Sequence, residues 1–272
     1  MRRRTAMIAR LLTYSAAAAI LASAPALAQR GQRGMQPPSS PRAMAPFDLT
    51  GYWISIVTED WRWRMITPAK GDYASVPLNA AAQRVADAWD PAKDEAAGEE
   101  CRSYGAAAIM RVPGRVHITW DGDAALRIET EAGTQTRLFK FPLPPAASAG
   151  QARSSSSGKD ATWQGESVAQ WETGGRTGMF GAGPPPKATG LKVITTHLRP
   201  GYLRKNGVPY SEHTVLTEYY NVMPKEENGD TWLIITTVVQ DPQYLTGRFI
   251  TSTHFKKLPD GATWHPTSCR VS

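Results

Sequence analysis

Between Thr195 and Ser211 the chain crowds His197, Arg199, Tyr202, Arg204, Lys205 and Tyr210 into one strand end and the loop that follows it. Loops carried by a rigid β scaffold are common places for binding groups. There His197 is a candidate base, and Arg199, Tyr202, Arg204 and Tyr210 offer donors for a carboxylate, a phenolate or a developing oxyanion. The same composition also suits a solvated basic turn that shields a hairpin. A second candidate is Glu218, which shares a strand face with Leu216 and Tyr220 while Thr217 and Tyr219 face the other way. A carboxylate aimed into an aromatic interior can accept or donate a proton; alternatively it forms a structural ion pair with Arg111 or Arg137.

Nine Trp and nine Tyr occur in the chain, and Trp53, Trp61, Trp63 and Tyr73 lie close together near its start. They suit a pocket for an aromatic or lipid-like ligand, with Trp61, Trp63 and Arg64 as its binding groups, or else ordinary packing of a β core. Five histidines, His117, His197, His213, His254 and His265, show no metal-ligand spacing, and the chain has no nucleophile elbow, P-loop or dinucleotide fingerprint. No metal and no cofactor are therefore expected. A cofactor-independent lyase or isomerase remains open, because it needs only a base and an electrophilic stabiliser in a dry cavity.

These residues need elements to hold them. Leu49–Val57 reads as a strand. In Asp60-Trp61-Arg62-Trp63-Arg64-Met65 the period-two alternation sets Trp61, Trp63 and Met65 against Asp60, Arg62 and Arg64. Asn79 and the alanines after it start one short helix within Leu78–Trp89, ended near Pro91. Strands then follow near Arg115–Trp120, Ala125–Thr130, Thr134–Phe141, Trp163–Trp171, Leu191–Leu198, His213–Val222, Thr231–Gln240 and Gly247–Lys256. Two stretches, 142–161 and 173–190, are rich in Pro, Gly, Ala and Ser and read as mobile excursions over the surface. The expected fold is mostly β: an antiparallel barrel or sandwich of about nine or ten strands with one short helix, as a single domain over 47–272.

The first residues have the layout of a signal peptide over 1–28: Arg2-Arg3-Arg4, an Ala-rich apolar run from Leu11 to Leu21, and Ala26-Leu27-Ala28 before Gln29. The run is short for a membrane anchor. Its arginines leave both the general secretory and the twin-arginine routes open. Residues 29–46 read as a disordered spacer. The formal charge of +7 falls to +3 without Arg2, Arg3, Arg4 and Arg10, and to zero without Arg30, Arg33 and Arg42. No basic cluster is then left for a nucleic-acid partner. The expected location is periplasmic or secreted, with no integral membrane segment after leader removal and no oligomeric state specified. In that oxidising setting Cys101 and Cys269 are expected to form a disulfide.

Asp48-Leu49-Thr50-Gly51-Tyr52-Trp53 resembles the G-x-W start of lipocalin-like, or calycin-like, barrels, in which Trp closes the barrel floor. With Cys101, Met110-Arg111-x-Pro113, Gln135-Thr136-Arg137-Leu138, Ser167–Glu172, Gly207–Ser211, Leu216-Thr217-Glu218 and Asp241-Pro242, the chain is similar to a large family of secreted bacterial proteins of unknown function. That resemblance implies a small-ligand or enzymatic role. The leading expectation is an exported barrel that binds a small hydrophobic or aromatic molecule, the alternative a cofactor-independent lyase or isomerase acting on one.

Overall fold

The computed structural model describes residues 40–142, 161–173 and 188–271. The leader, residues 29–39 of the spacer, and most of both Pro/Gly-rich excursions (143–160 and 174–187) lie outside the described residues. In chain order come β1 (Gly51–Ile56), α1 (Trp61–Arg64), α2 (Ala80–Asp87), α3 (Pro91–Ala96), a 3-10 turn (Glu100–Tyr104), α4 (Ala106–Ile109), β2 (Arg115–Trp120), β3 (Ala125–Thr130) and β4 (Thr136–Lys140). Then follow β5 (Glu166–Thr173), β6 (Ala188–Thr196), β7 (Gly201–Arg204), β8 (Val208–Tyr210), β9 (Val215–Val222), β10 (Trp232–Gln240) and β11 (Phe249–Lys257).

Nine strands close into one barrel in the order β1-β11-β10-β9-β6-β5-β4-β3-β2, and the β7–β8 hairpin stands apart from it. The barrel, not the sandwich, is the architecture, and it is mixed: β4 and β5 run parallel, with Phe139 opposite Ser167 and Lys140 opposite Val168. The wholly antiparallel expectation fails for a reason of parity, since an odd ring of strands cannot alternate direction all the way round. A parallel neighbour needs a long return connection. The 142–161 stretch lies within that return, and the 173–190 stretch is shortened by Ala188–Gly190, which pair in β6.

Period-two alternation puts the large apolar residues inside. In β10 Leu233, Ile235 and Val239 are buried, in β11 Phe249 and Phe255, and in β3 Leu126 and Ile128. Trp53 of β1 is fully buried, and its indole N–H donates to the Leu49 carbonyl at 2.9 Å. Residues 40–46, read as the end of the spacer, include a turn laid against the barrel, where Pro41 accepts from the Trp171 indole at 2.8 Å.

A polar layer crosses the lumen. Arg137 of β4 donates to both carboxylate oxygens of Glu218 on β9, at 2.9 and 2.6 Å, and neither side chain is exposed. Tyr220 donates to Glu218, Arg137 donates to Thr195, and Thr195 meets Ser167 at 2.8 Å. Burial alone would depress Arg137, but Glu218 more than offsets it and the guanidinium pKa is raised.

The other part of the core plugs one end of the barrel. Ala82 of α2, Ala106 and Ala107 of α4, and Leu203, Val208 and Tyr210 of the hairpin pack with Leu216, Val239 and Phe249 at the strand ends. The hairpin turn needs Gly207, whose φ is +81°; a Cβ there would lie 2.3 Å from the Trp89 ring. Asn79 caps α2 by accepting from the Ala82 N–H at 2.9 Å. Pro91 follows the end of α2 and opens α3, a position where its missing N–H costs nothing. Helices α1, α3 and α4 are too short to show a helical period in sequence. Residues 61–64 were expected in a strand, but Asp60 at φ 50° turns the chain into α1. That turn carries Arg64 inward and leaves Trp61 and Met65 outward. No described helix is long and apolar enough to cross a membrane.

Cys101 and Cys269 are bridged, their Cα atoms 5.1 Å apart, which ties the tail to the 3-10 turn. Replacing both with Ser should cost about 5 kcal/mol by the loop-entropy estimate, read as a fall in the urea midpoint. Arg137→Leu should cost about 3–5 kcal/mol by stranding Glu218, and Arg137→Leu with Glu218→Leu should recover most of it. A loss below about 1 kcal/mol in the single variant would mean that the lumen pair is not what it looks like.

Candidate functional site

A cavity of about 300 Å³ lies beside the plugged end of the barrel. Its walls come from α1 and the residues after it (Trp63 to Pro68), the 3-10 turn (Ser103, Tyr104), the chain leaving α4 (Arg111 to Pro113) and the end of β7 (Leu203, Arg204, Lys205). Four cations, Arg64, Arg111, Arg204 and Lys205, line it, and no carboxylate does among the described residues.

The three arginines differ in how their donors are used. Arg64 donates from Nε to the Arg111 carbonyl at 2.9 Å and from Nη1 to Glu59 at 3.3 Å, leaving Nη2 without a partner among the described residues. Arg111 donates from Nη2 to Asp60 at 2.9 Å, and its Nη1 has no partner among the described residues. Arg204 is 4 % exposed, and none of its three guanidinium nitrogens finds a hydrogen-bond partner among the described residues. It lies over the Trp63 ring, 4.8 Å from the centroid. Buried polar groups are normally satisfied, and a buried charge left without partners is costly. Arg64, Arg111 and Arg204 of this wall thus hold five buried guanidinium nitrogens without partners among the described residues, and guanidinium forks match carboxylate and phosphate geometry.

Burial, reinforced by the like charge of Arg111, pulls both Arg64 and Arg204 down to about 10, and burial lowers Arg111 as well against the pull of Asp60. All three stay cationic at neutral pH. The folded chain holds the Arg64 and Arg204 protons less tightly than the unfolded chain does. The cluster therefore costs stability at every pH below about 10, and that cost fades as pH rises further.

Neighbouring contacts hold the walls in place. Asp72 accepts from the Trp63 indole at 3.1 Å and from Arg62 at 2.8 Å, and these contacts hold its carboxyl below the usual range. Asn206, in the β7–β8 turn, donates to the carbonyls of Ala69 and Asp72, so the turn that presents Arg204 also anchors the loop after α1. Lys205 stands over the Tyr104 ring at 5.0 Å.

Of the residues singled out in sequence, Trp63, Arg64, Arg111 and Arg204 meet in this cavity, and Trp61 stands just outside it on the exposed side of α1. The others lie elsewhere. Arg137 and Glu218 form the lumen pair. Arg199 pairs with Glu99 and stacks on Trp163 at 4.6 Å. Tyr202 and Tyr210 line a second cavity of about 300 Å³ with Trp89, Asp94 and Arg102, where Tyr202 donates to Asp94 at 2.9 Å. His197 is mostly exposed, at φ 55°, with Nδ1 against the Thr196 hydroxyl. His197 and Glu218 thus belong to separate surroundings, one outside the barrel and one sealed within it. Tyr104, Lys205, Met65 and Ile66 were not singled out as ligand groups. Lys205 lies in the basic segment and Met65 shares the face of Trp61 and Trp63 in the period-two reading, whereas nothing in the sequence marks Tyr104 or Ile66.

If Arg204 is kept for a ligand and not for the fold, removing its charge should help the unliganded protein. Arg204→Met keeps a chain to pack on Trp63 and should raise stability by about 1 kcal/mol, a rise of roughly 2–4 °C in Tm at low ionic strength. A clear fall in Tm would instead make Arg204 a structural group. No protein-family model matches the chain, and neither curated proteins nor solved structures give a match, so the chemistry of the site rests on its own geometry.

Proposed function

We propose that this protein is an exported, periplasmic or secreted, binding protein for a small organic acid with a hydrophobic or aromatic body, held in the arginine-lined cavity at the barrel end. The observation that carries this reading is Arg204, almost wholly buried yet without a hydrogen-bond partner on any guanidinium nitrogen among the described residues. Arg64 Nη2 and Arg111 Nη1 add two more free donors, and Trp63 and Tyr104 supply flat apolar walls. A cavity of about 300 Å³ sits at the small end of the range for metabolite sites. The leader-like first residues and the bridged cysteines support an oxidising compartment.

A cofactor-independent lyase or isomerase using Glu218 or His197 as base is less well supported. Both carboxylate oxygens of Glu218 are engaged by Arg137 inside the sealed lumen, and His197 does not line the arginine cavity.

Calorimetric titration of the disulfide-bonded protein with benzoate and phenyl phosphate at low ionic strength tests the reading. Both acids should bind, more weakly as salt is added, while benzyl alcohol should not. Arg204→Met should weaken the acids by roughly 30-fold or more, the usual cost of removing one side of a buried charge contact. Equal binding of acid and alcohol, or indifference to Arg204→Met, would sink it.

A further inference from the structure

The cation cluster specifies one end of a ligand, and the mouth of the same cavity specifies the other. Met65 and Ile66 belong to the lining, yet they are 59 % and 66 % exposed. Trp61, one helical turn before Met65 and joined to it by the Met65 N–H to Trp61 carbonyl bond, is 61 % exposed. Large apolar side chains exposed singly are ordinary, but three along six residues, running out from a charged cavity, form an apolar lip with a direction. Met65 and Ile66 share the cavity lining with Val112 and Pro113, and all three lip side chains are more than half exposed.

A ligand that satisfied the guanidinium groups and also covered this lip would have an acid at one end and an apolar chain at the other. A compact acid would leave the lip bare. A neutral hydrophobe would cover the lip and leave the arginines unpaired. Arg62, beside the lip, does not make it a second anion site, because it is engaged by Asp72 at 2.8 Å.

Resting on the reading that the arginine cavity holds an organic acid, we propose that the natural ligand is an amphiphile: an unbranched alkyl carboxylate or alkyl phosphate, its head on Arg204, Arg64 and Arg111 and its chain lying over Met65 and Ile66 towards Trp61. The chain runs outward along the surface, since the lumen is filled by the Arg137–Glu218 layer and its apolar neighbours.

The test is the dependence of affinity on chain length, measured by calorimetry with acetate, hexanoate, octanoate and decanoate below their micelle concentrations. Inorganic phosphate and octyl phosphate form a second pair, and octylammonium is the control of opposite charge. Each methylene that reaches the lip should tighten binding by about two- to fourfold. The rise should flatten once the chain passes Trp61. Octyl phosphate should bind more tightly than inorganic phosphate, and octylammonium should not bind. Met65→Ser with Ile66→Ser, both at exposed positions, should remove the dependence on chain length. Arg204→Met should weaken every acid by a similar factor. Acids that bind through Arg204 with no dependence on chain length would overturn the amphiphile and leave the acid-binding reading standing. Affinity that climbs with chain length but ignores Arg204→Met, or is matched by octylammonium, would overturn both. Failure of every acid to bind would overturn the acid-binding reading first.

Discussion

Nine strands cannot alternate in direction around a closed ring, and the rest of the molecule follows from how the chain meets that constraint. One neighbouring pair must run parallel, and it is β4 and β5, whose register sets the last residues of β4 beside the first of β5. Two other connections are long: the one between β1 and β2, which carries α1 to α4, and the one between β6 and β9, which carries the β7–β8 hairpin. That hairpin folds with α2 and α4 over one end of the barrel. Its turn and the end of β7 supply Arg204, Lys205 and Asn206. The cavity with free guanidinium donors is therefore a product of the plug and not of the lumen.

Buried charge is handled in two ways. In the lumen Arg137 and Glu218 meet fork to fork, and Tyr220 and Thr195 take up further valences. Asp241 is treated likewise, accepting from the Ser211 and Thr214 hydroxyls and from the backbone N–H groups of Ser211, Gln243 and Tyr244. Such groups lower the cost of their own burial. Arg204 has a ring beneath it and no hydrogen bond among the described residues, while Arg64, Arg111 and Arg137 each keep one nitrogen without a partner there. Among the buried arginines described, a complete lack of hydrogen-bond partners is confined to Arg204 at the plug.

Much of the fold was legible because strands with one buried face announce themselves. The bounds of β2 and β3 follow directly from alternation and the turns at Asp121-Gly122 and Ala132-Gly133, and β9, β10 and β11 come within a residue or two. Glu218 on the inner face with Tyr220 was equally readable, since two residues along a strand return to the same side. The helical turn at Trp61–Arg64 was not. Four residues of alternating Trp and Arg satisfy a period of two as well as a single helical turn, and only the left-handed Asp60 decides between them.

The sequence by itself determined the barrel strands but not the β7–β8 hairpin, which reads as a loop, together with the α2 cap at Asn79, the pairing of the only two cysteines, and a list of aromatic and cationic residues suited to a ligand. Those are matters of local period, backbone preference and composition. Which cation meets which carboxylate was decided by the tertiary structure alone. Arg111 and Arg137 were equal candidates for Glu218, until barrel closure put β4 close enough across the lumen for Arg137 to reach it and left Arg111 outside beside Arg64 and Arg204. Distances between residues far apart in the chain depend on register and closure, and burial of a charge depends on everything packed around it; neither is a property of a local window of sequence.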